Sequence, residues 1–242
     1  MVTYILLALG GLSLIFFLLF RKKEGGVLPL SLKVLTSLLF VATAIASVIG
    51  NYNLTGTASF NKLMFSGLII MGLVCDVVGD FALDLKVTYL ETNVRHSDLY
   101  TFMGMGAFGV GHILFIIAIG IYFGFSPWSV LIAFGLGTCV FCAGKFLMKL
   151  DFGKFIVPVA VYCFLLSFFI VVSVTAGLIA SFGTTVTLLI CGSSLFLCSE
   201  LILSLNYFDG NESRFIIVLD HTLYFAAQFL IALSLYYTGV TL

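Results

Sequence analysis

The chain has 242 residues, of which 62% are hydrophobic and 9% charged, with a formal net charge of zero. A soluble domain carries roughly a quarter charged residues, so this composition excludes a water-wetted globule, and the charge balance gives no argument for a nucleic-acid partner. The apolar excess falls in runs of about 20 residues, the length that crosses ~30 Å of hydrocarbon. The expected fold class is all-α: a multi-pass integral membrane protein, one transmembrane helical domain over residues 1–242.

The first apolar run, 2–20, is followed by Arg21, Lys22 and Lys23. A cleaved signal peptide carries its positive charge before the apolar core, so this segment reads as a retained first helix. Further runs bounded by charge, Gly, Pro or Asn predict spans at 29–50, 62–83, 99–123, 127–148, 155–178, 182–205 and 214–238, eight spans in all. The connections are short, which predicts one bundle. Arg21, Lys22, Lys23, Lys86, Arg95, Lys145, Lys149, Lys154 and Arg214 fall on one side of that bundle, and Lys62 falls on the other. The positive-inside rule then places both termini away from the cytoplasm.

Cys75, Cys139, Cys142, Cys163, Cys191 and Cys198 all lie in apolar runs and read as buried free thiols. Cys139 and Cys142 form a C-x-x-C within a span, with no second pair or nearby histidine to suggest a metal. Gly104, Gly106, Gly109 and Gly111 open span four, where small residues let helices pack closely.

Four carboxylates, Asp76, Asp80, Glu200 and Asp220, interrupt apolar helices. An ionised side chain at mid-bilayer costs ~3 kcal/mol on insertion scales, so they are expected to converge inside the bundle. At ~1.5 Å per residue, Asp76 and Asp80 of span three lie at a similar depth to Lys33, Tyr162, Glu200, Asp220, His221 and Tyr224. Gln228 lies a turn further, and His112 lies near the midplane. Asp76 and Asp80 share a helix face, and Tyr224 and Gln228 nearly share one with Asp220. Plain structural readings stand beside these. Lys33 can snorkel to headgroups, Asp220 and His221 can be wet, and His112, Asp76, Tyr162, Tyr224 and Gln228 can be interhelical hydrogen-bond residues.

These residues carry a resemblance to the YhhN family of integral membrane lysoplasmalogenases. Lys33 stands near the start of span two. Gly79-Asp80 with Leu83 resembles a Gly-Asp-x-x-Leu. Phe102, Phe108 and His112 mark span four, although Gly106 departs from the register, and Pro158 with Tyr162 marks span six. Gly192, Phe196, Ser199 and Glu200 are similar to a Gly-x-x-x-Phe-x-x-Ser-Asp, and Tyr224-x-x-x-Gln228 closes the series. Val34 replaces a proline after Lys33, and Glu200 stands where the pattern carries aspartate.

The resemblance implies hydrolysis of the vinyl ether bond of a lysoplasmalogen, a lysophospholipid, to a fatty aldehyde and a glycerophospho-ethanolamine or -choline. Protonation of the β-carbon leaves an oxocarbenium ion, and water adds to the α-carbon. Two carboxylates suit this, by analogy with glycosidases. Asp80 and Glu200 are the expected catalytic pair, and the residues leave open which is the acid. Lys33 is expected to bind phosphate or tune a carboxyl group. His112 and Tyr224 are expected to hold water or glycerol. Tyr162, Gln228, Asp76, Asp220 and His221 are expected to support the site, which faces the cytoplasmic leaflet. No cofactor or metal is called for. The rival readings are a proton-coupled transporter using the same carboxylates and a non-enzymatic lipid-binding protein. Oligomeric state is not legible.

Overall fold

The computed structural model describes residues 1–21, 26–89, 94–208 and 213–239, and Lys22 and Lys23 lie outside them. Within the described residues it is all-helical. The long helices are α1 (Val2–Phe20), α2 (Val27–Thr55), α3 (Phe60–Tyr89), α4 (Val94–Phe123), α5 (Trp128–Cys142), α6 (Ile156–Ile179), α7 (Thr184–Phe208) and α8 (Arg214–Ser234). Seven helical segments, α1, α2, α4, α5 with the π turn that continues it to Leu147, and α6 to α8, are long and apolar enough to cross a membrane, which marks the chain as a multi-pass membrane protein. The remaining helix, α3, carries Asp76, Asp80 and Asp84.

Lipid offers no hydrogen bonds, so each crossing segment satisfies its own backbone as a helix. The three prolines obey this constraint. Pro29 and Pro158 lie in the first turns of α2 and α6, and Pro127 is the N-cap of α5, where a missing N–H breaks no intrahelical bond. Helix α2 stops at Gly56, whose φ of 62° is the left-handed conformation that glycine adopts freely, and its N–H closes on Tyr52 O at 2.8 Å. Helix α5 ends in a π turn, Ala143–Leu147, and a 3-10 turn, Gly153–Phe155, leads into α6.

The eight helices overlie the eight apolar runs, with two extensions that matter. Helix α3 continues beyond residue 83 to Tyr89 and takes in Asp84 and Lys86. Helix α4 begins at Val94 and takes in His96, which lies outside the expected span 99–123. Hydropathy drew both segments too short, at the end of α3 and at the start of α4, because a helix continues through charged residues that carry no apolar signal.

Successive helices run antiparallel. At one end Arg21 pairs with Asp84, Arg214 donates to the carbonyls of Arg21 and Leu18, and Lys154 pairs with Asp98. At the other, Tyr4 bonds Tyr237, Asn51 bonds the carbonyls of Tyr236 and Thr238, and Lys62 bonds Thr55. Packing between neighbours closes a ring of six helices, α2–α3–α4–α6–α7–α8, with α1 leaning on α2 and α8 and α5 leaning on α6.

The ring interior holds an aromatic core that includes Phe40, Phe65, Phe115, Phe169, Phe196 and Phe225. The outside is also apolar, with Ile5, Leu12, Leu131, Phe134 and Leu178 exposed, as a lipid-facing surface requires. That surface corrects the reading of the cysteines as buried. Cys139, Cys191 and Cys198 are exposed, and Cys75, Cys142 and Cys163 are only half-covered, all as free thiols. In a bilayer a thiol is as well accommodated by lipid as by protein, so an apolar run does not imply a buried one.

Candidate functional site

The site begins with the close approach of α3 and α4. A Cβ at Gly111 would lie 3.0 Å from Gly72 O and 2.5 Å from Asp76 Oδ1. Gly72 mirrors this, because its Cβ would lie 3.0 Å from Gly111 O. The backbones therefore touch, and Asp76 packs directly on the α4 backbone. Gly104 faces Leu83 in the same seam, whereas Gly106 meets nothing within 4 Å and Gly109 makes one ordinary contact. Of the four glycines that open α4, two serve this interface.

One turn along α3, Asp80 is 2% exposed and gathers donors from two other helices. Ser37 of α2 donates to its Oδ2 at 2.6 Å, and Tyr224 of α8 donates to the same oxygen at 2.8 Å. Lys33 Nζ lies 3.3 Å from Oδ1 and 3.4 Å from the Asp80 carbonyl. Lys33 is thus a buried ion-pair partner and does not snorkel. A carboxyl group surrounded by an ammonium and two hydroxyl donors is held as an acceptor, the role of the ionised form.

The network continues through α8. Gln228 Nε2 donates to Asp76 Oδ2 at 2.7 Å and to Tyr224 Oη at 3.1 Å. Asp76 and Asp80, one turn apart on α3, are thereby joined through Gln228 and Tyr224, one turn apart on α8. The i,i+4 spacing on each helix supplies this ladder.

A polar cavity of about 130 Å³ opens above Asp80. Lys33, Asp80, Glu200, Asp220, His221 and Tyr224 all line it. Asp220 and His221, 6% and 7% exposed, are buried rather than wet at the surface. His221 Nδ1 sits 2.8 Å from Ile217 O and 3.3 Å from Asp220 Oδ2. A carbonyl only accepts, so Nδ1 carries the proton.

A second, apolar cavity of about 80 Å³ lies between α4, α5, α6 and α7, with Met105, Phe141, Gly144, Val159, Leu166 and Leu197 in its walls. The two cavities share a wall of five residues: Leu83, Phe108, Glu200, Leu203 and Tyr207. Glu200 is the one carboxylate in that wall. Tyr162 lines the apolar cavity beside Glu200, and among the described residues its hydroxyl forms no hydrogen bond of normal geometry.

His112 lines neither cavity. It is fully buried among Phe115, Tyr162, Phe169 and Phe196, with ring centroids 4.6–6.0 Å away, and its Nδ1 lies 2.6 Å from Phe108 O. Among the described residues its Nε2 finds no partner, nor do Asp76 Oδ1 and Gln228 Oε1. His112, expected to hold water or glycerol, thus stands behind the apolar cavity, next to the lining residue Tyr162.

Several cavity-side residues were not singled out in the sequence as site residues, Asn206 and Tyr207 among them. Arg21, Asp84 and Lys86 line the polar cavity, and Ser37 bonds Asp80. Arg21 and Lys86 had been assigned to loops and Asp84 lay past the end of its span, although Asp84 continues the i,i+4 series of Asp76 and Asp80 and that spacing was available. Ser37, one turn after Lys33, carries no distinguishing signal. Among the described residues no group of three or more metal-ligating side chains is present.

The YhhN family model matches residues 28–235 of the chain. Comparison with curated proteins and with solved structures found no match.

Proposed function

The chain belongs to the YhhN family, and from that premise we propose that it hydrolyses the vinyl ether bond of lysoplasmalogens. One observation carries the proposal: a polar, carboxylate-bearing cavity abuts an apolar cavity, and Glu200 stands in the wall between them. A single-tailed ether lipid has the same division. Its glycerophospho headgroup suits the polar side, its hydrocarbon tail suits the apolar side, and the vinyl ether is the junction.

Glu200 is the general acid in this reading. Its protonated carboxyl group delivers a proton to the β-carbon of the vinyl ether, and the double-bond electrons form the new C–H bond. The ether oxygen shares its lone pair with the α-carbon to give an oxocarbenium ion. Asp80, held as an anion by Lys33, Ser37 and Tyr224, stabilises that cation and takes a proton from the water that adds to the α-carbon. The hemiacetal then collapses: its hydroxyl proton returns to Glu200, the C–O bond breaks, and the departing glycerophospho oxygen takes the proton from Asp80, which gives the fatty aldehyde and the glycerophospho alcohol and resets both carboxyl groups. Charge fixed by aligned donors before the reaction is an effective way to stabilise such a transition state.

In this reading all eight helices cross the bilayer and both termini are non-cytoplasmic. The site opens to the cytoplasmic leaflet, because Arg21, Lys86, Lys154 and Arg214 gather at its end of the bundle. Aldehyde release from lysoplasmalogen by purified protein tests the function. Wild type releases aldehyde, and Asp80→Asn and Glu200→Gln do not. Wild-type turnover in both folded variants would falsify the paired-carboxylate mechanism.

A further inference from the structure

Helix α1 lies outside the matched segment 28–235 and outside the ring of six helices, yet it places a guanidinium in the polar cavity. Arg21 is the residue immediately after α1 and is 7% exposed. Two contacts fix it. Arg214, the first residue of α8, donates to the Arg21 and Leu18 carbonyls and so clamps the last turn of α1. Asp84 of α3 takes the guanidinium, with Nη1 2.5 Å from Oδ1. Lys86, a half-turn further along α3, lines the same cavity with its ammonium 3.1 Å from the centre of the Tyr207 ring.

Among the described residues three cations line this cavity: Arg21, Lys33 and Lys86. Lys33 is committed to Asp80. It cannot also serve as a phosphate anchor without giving up that ion pair. Arg21 has five N–H donors on a rigid fork, and its bond to Asp84 uses only part of that fork. A fork held at one edge by a carboxylate and flanked by an ammonium suits a phosphate oxyanion.

We propose that Arg21, held by Asp84 and Arg214 and assisted by Lys86, is the phosphate-recognition element for the lysophospholipid headgroup. The inference rests on the proposed lipid substrate and deepens it: the carboxylates act on the ether, and α1 reads the phosphate. Arg21 acts here in binding, not in the chemistry.

The test is binding of a lipid that the protein cannot cleave. The probe is a saturated alkyl-ether lysophosphoethanolamine, compared with the matching alkylglycerol, which lacks the phosphate, on the full chain in detergent. Wild type prefers the phosphate-bearing probe. In Arg21→Gln/Asp84→Asn that preference falls by roughly tenfold to a hundredfold, the worth of hydrogen bonds to a charged group. Lys86→Gln, which removes the ammonium from the Tyr207 ring but breaks no salt bridge to a buried carboxylate described above, lowers it by a few-fold, in the range of a partly exposed charge contact. A preference ratio unchanged in both variants overturns the proposal. Inorganic phosphate is titrated in parallel. If it binds with the same Arg21 dependence while wild type shows no preference between the two lipids, the site takes free phosphate and the headgroup assignment is overturned. Because neither probe carries a vinyl ether, failure of the proposed hydrolysis would leave this result standing.

Discussion

The two cavities are built alike and filled differently. Each is enclosed mainly by the ring of six helices and completed by one outer helix: α1 brings Arg21 to the polar cavity, and α5 with its terminal π turn brings Val140, Phe141 and Gly144 to the apolar one. Around the polar cavity most site side chains are tied to one another, through Lys33–Asp80, Arg21–Asp84, Asp220–His221 and the Tyr224–Gln228–Asp76 ladder, while Glu200 stands outside these pairs in the wall between the cavities. The apolar cavity has shape and little else. A polar cavity inside a bilayer must be held by specific partners, because an unpaired charge there costs several kcal/mol. An apolar cavity needs only that its walls not collapse. The polar side therefore fixes geometry and the apolar side tolerates variety, which is the division a lipid-cleaving enzyme needs.

The sharpest way to break that division is to neutralise one carboxylate at a time. Asp80→Asn and Glu200→Gln are each expected to lower kcat for aldehyde release roughly a hundredfold to ten-thousandfold, the range of general acid–base catalysis. Glu200→Gln is expected to leave lipid binding largely intact, because amide and acid have nearly the same shape. If either variant loses binding and turnover in proportion, that carboxylate belongs to recognition and not to chemistry.

Tyr224→Phe asks whether the polar side works as a network. The hydroxyl bonds Asp80 at 2.8 Å and receives Gln228 at 3.1 Å. Its removal costs Asp80 one charge-assisted bond, so turnover is expected to fall roughly tenfold to a hundredfold, with the affinity for substrate little changed. Steady-state kinetics separates the two parameters. An unchanged kcat would show that Lys33 and Ser37 alone position Asp80.

The apolar cavity answers to volume instead. Val159, 9% exposed, lies in its wall against Leu150 and Phe152. Val159→Phe narrows the space, and each methylene excluded from it is expected to weaken affinity about fourfold, from ~0.8 kcal/mol per CH₂. The expected signature is a shift toward shorter chains, read from competition among lysolipids of graded length. A uniform loss at all lengths would place the tail elsewhere.

This contrast also explains what the sequence disclosed. Asp80, Glu200, Asp220 and Lys33 were conspicuous because charge in an apolar helix is rare and costly, and the structure lines one cavity with all four. Arg21 and Lys86 were hidden at the other extreme, since a cation at a span's end is ordinary and only the fold shows it turned inward. Val159, Leu166 and Leu197 were invisible because a cavity wall and a packed core use the same residues. The ring order of the helices was equally hidden: apolar periodicity is weak when both the core and the lipid face are apolar. His112 shows the converse. It stood out for its polarity, yet lies in an aromatic nest and not in either cavity.

The smallest effect on turnover is expected one layer behind Asp80, and it sharpens how deep the polar side extends. Gly111→Ala would put a Cβ 2.5 Å from Asp76 Oδ1 and 3.0 Å from Gly72 O. The backbone oxygen cannot yield without parting α3 from α4, so the variant is expected to lose about 1–3 kcal/mol of stability, the usual cost of overpacking. Gly106→Ala is the matched control on the same helix, where nothing lies within 4 Å, and it is expected to be neutral or slightly stabilising from helix propensity. Thermal unfolding in detergent reads both. Asp76 reaches Asp80 only through Gln228 and Tyr224, so a displaced Asp76 is expected to change turnover by a few-fold at most, less than a single bond to Asp80 itself. A loss as large as that of Tyr224→Phe would move Asp76 from the buttress into the site.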